Sequence, residues 1–246
     1  MEEKTQDRGV ENTEVQRFID LMKDEALKKK VVELLADPTT YIDGEVYRGL
    51  PLEASPAAKF QHHSYPRGLV QHMVSVATIS LTLCDIVERV YGAQVKRDVV
   101  IAVALIHDIM KPLTYSETGE RYGVSPLGER VDHLTLAVAE LIRRGFPLDV
   151  VHAVAAHHGK GGPMSPRTVE ALICNLADSA DASLNGEVLN AARWAMRDCL
   201  GEEAHRLTAE EAFAIVQARQ ERGCAGVVEA VKKMRAEEGN EEQEKI

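Results

Sequence analysis

Apolar positions recur at helical spacing along most of this chain. Val15, Phe18, Ile19 and Leu21-Met22, then Leu27, Val31 and Leu34-Leu35, follow one another three or four residues apart, which predicts helices ending before Pro38. Between about 37 and 66 the pattern breaks. Pro38, Gly44, Gly49, Pro51, Pro56 and Pro66 predict a long ordered loop there, or a hairpin turning at Asp43-Gly44. From Gly68 the helical period returns through Leu69, His72, Val76, Ser80, Leu83 and Val87, so His72 is expected to face inward. Residues 95–110 are apolar almost all round. Periodicity alone would also fit a buried strand, but the alanines and the helical neighbours favour a central helix ended by Pro112.

A loop with Gly119, Gly123, Pro126 and Gly128 precedes a helix expected from about 131 to 144, and Pro147 opens another that runs to His158 and stops at Gly159. Further helices are expected from Pro166 to about Leu184 and near 186–200, 208–222 and 224–237, with frayed polar residues at 1–12 and a Glu-rich solvated tail. The expected class is all-α. A helical bundle core over 61–200 carries an N-terminal helical leader and loop (1–60) and C-terminal helices with an acidic tail (201–246).

Composition agrees with this class, since 45% hydrophobic residues with only 4% aromatics suit close helix packing better than a sandwich or barrel. A net charge of -10 would repel a polyanion, so an extended nucleic-acid surface is not expected. The longest apolar run, Val99 to Ile106, falls far short of the roughly 20 residues that span a bilayer. Cys84, Cys174, Cys199 and Cys224 form no CxxC pair and no apolar leader follows Met1, so the expectation is a cytoplasmic protein with reduced thiols.

Eight of the nine histidines lie between 62 and 158, in segments that are otherwise apolar. Imidazoles inside a core cost stability unless they are paired or bound to metal. His107 and Asp108, adjacent at the end of the most apolar segment, project about 100° apart and can converge on one cation, with Lys111 a turn further on. His157-His158 repeats the arrangement, His152 precedes it, and Asn175, Asp178 and Asp181 form a polar stripe three residues apart. Taken singly, each is as well read as a satisfied core histidine or a helix cap. No such account covers the set.

His72, then Ile106-His107-Asp108-Ile109-Met110-Lys111, His133, His157-His158-Gly159 and Ala177-Asp178 resemble the HD superfamily of metal-dependent phosphohydrolases in its H…HD…H…HH…D form. The resemblance implies a dinuclear site in which His72, His107, Asp108 and Asp178 hold one metal and Asp108 bridges to a second held by His133, His157 and His158. Such imidazole-rich ligands imply Fe or Mn first, with Ni, Co or Zn also fitting. Asp108 and Lys111 would carry the catalysis, Lys111 as a charge on a phosphate oxygen. His152 and Asp181 would orient ligands from behind. Met110 stands where the family has glycine, a departure that bears on packing rather than on the ligands.

His62-His63-Ser-Tyr-Pro-Arg-Gly-Leu-Val-Gln-His72 is similar to the approach to the first ligand in HD-type 3′-to-5′ exoribonucleases and in a compact archaeal family of phosphodiesterases. The archaeal family is implied to open the 2′,3′-cyclic phosphate of 7,8-dihydroneopterin in methanopterin synthesis. His62, His63, Arg67 and Lys160 are then candidate substrate contacts, although His62-His63 could equally cap the helix entry and Lys160 could be a surface cation. Residues 1–36 read as helix rather than an RNA-binding strand domain, which favours a small cyclic phosphodiester over RNA or nucleotides. Tyr41, Tyr47, Tyr65, Tyr115 and Tyr122 are candidates to pack a ring. A non-catalytic metal-containing module that binds a nucleotide or protein is the alternative of another class, and homo-oligomerisation stays open.

Overall fold

The computed structural model describes residues 13–119, 121–204 and 206–244, with side chains described as far as 236. The expectations for 1–12 lie outside the described residues. The chain is 63% helix and 6% strand, an all-α fold carrying two small hairpins. Helices α1 (Thr13–Ile19) and α2 (Glu25–Ala36) form the leader, and Asp24 caps α2 by accepting from the Ala26 and Leu27 N–H groups. Strands β1 (Thr40–Ile42) and β2 (Glu45–Tyr47) pair antiparallel around Asp43-Gly44, the turn that the dipeptide predicts.

Helix α3 (Gly68–Arg89) is long and apolar enough to cross a membrane by length and composition, but His72, Val76 and Ser80 are buried on its face against α4 (Arg97–Ile106) and α8 (Val169–Leu200). Helix α4 is the hub. Val99 to Ile106 are buried without exception, and the helix packs against α2, α3, α7 (Leu148–Ala155) and α8. It stops four residues earlier than expected, and Pro112 does not terminate it but opens a further turn, α5 (Lys111–Thr114), where its missing N–H has no helical partner to lose. The bend between the two puts His107 and Asp108 at a corner of the core.

The stretch read as a glycine loop contains a hairpin, β3 (Tyr115–Thr118) with β4 (Arg121–Val124). Helix α6 (His133–Arg143) begins at His133 because Asp132 caps it, accepting from Thr135 N–H at 2.9 Å. Two helices were expected around 166–200, but α8 runs unbroken for 32 residues, about 48 Å. Gly186 is not a breaker: a Cβ there would lie 3.3 Å from the Gln61 carbonyl, so it serves the close approach of the loop carrying His62 and His63. Helix α9 (Ala209–Glu244) is interrupted at Gly223, where two helices were read, and its helical backbone extends through the expected tail. The α8 C-terminal half and α9 share a smaller core with Leu189, Ile215 and Val227. Cys199 and Cys224 form a disulfide across this hairpin, which corrects the expectation of reduced thiols for that pair, while Cys84 and Cys174 are buried and free.

Candidate metal centre

Asp108 is the hub of a buried cluster. Its Oδ2 lies 3.4 Å from His72 Nε2 and 3.4 Å from His107 Nε2, while Asp178 Oδ1 lies 3.2 Å and 3.7 Å from the same two nitrogens. The nitrogens themselves are 3.2 Å apart. Donors bonded at about 2.1 Å to one cation stand about 3.0–3.4 Å from each other, so this set is spaced for one. On the opposite side, Asp108 Oδ1 faces His133 Nε2 at 3.4 Å and His157 Nε2 at 3.7 Å, and His158 completes the group. The seven residues come from α3, the α4–α5 corner, α6, the turn after α7, and α8.

Second partners fix which nitrogen of each ring faces inward. His107 Nδ1 donates to the Ala104 carbonyl at 3.2 Å and His157 Nδ1 to the Val154 carbonyl at 2.7 Å, leaving Nε2 of each for the cluster. His72 Nδ1 meets Asp181 Oδ2 at 2.6 Å, so this carboxylate sits directly behind a candidate ligand. Helix α7 ends sooner than the histidine pair suggests. His157 and His158 occupy a tight turn closed by Gly159, whose φ of +55° and contact with the Asn175 amide exclude a side chain. Asn175 donates to the His157 carbonyl at 2.6 Å and thereby holds the turn on α8.

Two observations show what this cluster lacks. Asp108 Oδ1, His133 Nε2 and His157 Nε2 are buried without a hydrogen-bond partner, which is costly unless a cation satisfies them. The electrostatics agree. Burial alone would lower the proton affinity of His72 and His107, yet Asp108 and Asp178, joined for His72 by Asp181, raise His72 well above its ordinary value and His107 to about 9. Burial dominates for the others, pushing His133 down to about 4 and His157 to about 3, so both are neutral donors at physiological pH. Carboxylates that draw protons this strongly onto imidazoles draw a divalent cation in their place. The donor set fits a metal.

Lys111 is buried with its Nζ 2.5 Å from Asp108 Oδ2. Tyr115, whose hydroxyl burial pushes up, is the expected ring partner that interacts with Lys111 and Asp108. Tyr65 instead donates to Gln71, and Tyr41 lies under Arg143. His62 and His63 pack edge-on to each other and tilt against His72, 5.3 Å from its ring centroid, so the loop reaches the cluster.

Several expected residues are elsewhere. Arg67 is exposed and pairs with Glu53 at 2.8 Å and Glu14 at 3.6 Å; its left-handed backbone turns it away at the start of α3. His152 accepts from the Arg167 N–H and touches Met164, so it braces the loop after α7 rather than any ligand. Lys160 is exposed on a short 3-10 turn (Gly159–Gly161). Asn185, which the sequence reading missed, accepts the His63 N–H at 2.6 Å and holds His63 at a φ of +43°. Its signal was the spacing of Asp178, Asp181 and Asn185 on one face of α8.

Residues 69–183, which span the cluster from α3 to α8, match the HD domain family. A dihydroneopterin 2′,3′-cyclic phosphate phosphodiesterase of Methanocaldococcus jannaschii is 39% identical over 220 residues, 88% of this chain and 87% of the relative. The chain belongs to the HD domain family. As a member it is a metal-dependent phosphohydrolase that uses a divalent metal. The 3′-5′ exoribonucleases YhaM of Bacillus subtilis and Oceanobacillus iheyensis are 29% and 32% identical, over 53% of this chain and 43% of each relative. This HD protein therefore spans less than half the length of those exoribonucleases. No solved structure matches it.

Proposed function

We propose that this HD protein hydrolyses a small cyclic phosphodiester, with dihydroneopterin 2′,3′-cyclic phosphate as its substrate and methanopterin synthesis in the cytoplasm as its setting. The observation that carries the reading is the extent of the phosphodiesterase likeness, which runs through the leader and the C-terminal helices as well as the HD core. The likeness to exoribonucleases supports a second reading, cleavage of RNA ends or nucleotides, but covers only about half of the chain.

In this account His72, His107, Asp108 and Asp178 would hold one cation, and Asp108 with His133, His157 and His158 would hold a second. Fe or Mn suits the donors best. When bound, the cations lower the pKa of a water and offset phosphoryl charge. Lys111 stays cationic beside Asp108 and takes a non-bridging phosphate oxygen, its affinity for the proton raised by that carboxylate against the opposing effect of burial. Asp181 fixes the ring of His72, and His62 and His63, which burial pushes down to about 4 and 3, line the approach as neutral donors. Tyr115 flanks the phosphate site.

Anaerobic assay of the Fe-, Mn- and Mg-loaded protein against this cyclic phosphate, 2′,3′-cyclic nucleotides, bis-p-nitrophenyl phosphate and short RNA tests the reading. The cyclic phosphates should turn over fastest. A preference for RNA would replace the proposal with the exoribonuclease reading.

A further inference from the structure

A pocket of about 280 Å3 opens between the segment 59–64, β4, α8 and the chain that follows α8. Lys59, Arg121 and Arg193 line it together with Phe60, Ser64 and Tyr122, and among the described residues no carboxylate does, in a chain of net charge -10. Glu117, paired with Tyr122 across the hairpin, stays outside the lining. Arg206 lies over the Tyr122 ring at 4.8 Å, with its Nε buried and without a hydrogen-bond partner.

Arg193 is the informative residue. It is half-buried, and its guanidinium reaches only neutral acceptors at long range, the Phe60 carbonyl at 3.5 Å and Ser64 Oγ at 3.4 Å. Arg97, Arg143 and Arg219 each meet a carboxylate instead. A guanidinium drawn out of water without a countercharge costs stability, and the missing charge can come from a ligand.

We propose that this pocket, beside the loop that carries His62 and His63, is a binding site for a small phosphorylated ring compound of the nucleotide class. Lys59 and Arg193 supply the cations that a phosphate takes up. Phe60, 66% exposed, offers a face for a planar ring, while Tyr122 is buried beneath Arg206 and forms the wall behind it. The volume lies near the lower end of small-molecule sites, roughly 300–1,000 Å3, which suits a mononucleotide and not a polymer.

Calorimetric titration with AMP, and with pyrophosphate as a probe lacking the ring, tests the proposal on the full metal-loaded protein. The same titration on the Asp108→Ala chain removes binding at the metal cluster from the comparison. AMP should bind the Asp108→Ala chain, and adding Arg193→Met or Lys59→Met should weaken that binding tenfold or more while the single Lys59→Met protein keeps its metal content. Phe60→Ala should weaken AMP but leave pyrophosphate unchanged. Equal AMP affinity with and without Lys59→Met, or no binding to the Asp108→Ala chain, would overturn the site. Turnover by the metal-loaded protein is read separately, so loss of this pocket and loss of the phosphodiesterase reading are distinguishable.

Discussion

Asp108 and Glu140 are both carboxylates whose side chains are 1% exposed, and their surroundings differ in kind. Glu140 is neutralised by its own helix and the residue that ends it, accepting from Arg143 Nε at 2.9 Å and Arg144 Nε at 2.6 Å. Asp108 is ringed by imidazoles and one lysine, and its Oδ1 has no hydrogen-bond partner. A buried carboxylate that serves the fold brings its countercharge with it. One that serves chemistry leaves room for a cation.

Breaking each centre should therefore produce opposite losses. Asp108→Ala should reduce turnover about 1,000-fold or more and empty the metal centre, with helical content by circular dichroism retained. Asp181→Asn keeps the shape but weakens the hold on His72, and metal affinity measured by chelator competition should fall about 10- to 100-fold. Glu140→Ala should cost about 1–2 kcal/mol of stability in urea denaturation and leave metal content unchanged, because Arg143 and Arg144 are near enough to the surface to recover water.

The last contrast is in pH. Burial alone would raise the Glu140 pKa, but the bonds from Arg143 and Arg144 bring it below its ordinary 4.5 in the folded chain. Its contribution to stability is then present above pH 4.5 and is lost as pH falls through the lower folded value. The stability gap between the native chain and Glu140→Gln should shrink in urea denaturation below pH 4.5. An unchanged gap would mean that the ion cluster is not what holds α6.

The seven ligand-type residues were legible because polar side chains on apolar helices stand out against their neighbours. The turn at Asp43-Gly44 was legible for an equally local reason. What failed was mostly tertiary. The unbroken run of α8 past Leu184 has its reason in the loop packed against Gly186, and the β3–β4 hairpin is built from short polar strands such as Tyr115-Ser-Glu-Thr that carry little alternation. Arg67 and His152 lie near ligands in sequence but face other partners, Glu53 in one case and the Arg167 backbone in the other. Asn185 acts on His63 across 122 residues, and Cys199 meets Cys224 only because α8 and α9 fold back on each other.

Elemental analysis of the protein purified anaerobically without chelator tests the central claim most directly. The account predicts close to two transition-metal ions per chain, and close to none in Asp108→Ala. A native protein free of transition metal, or an Asp108→Ala protein that keeps its full complement, would contradict it.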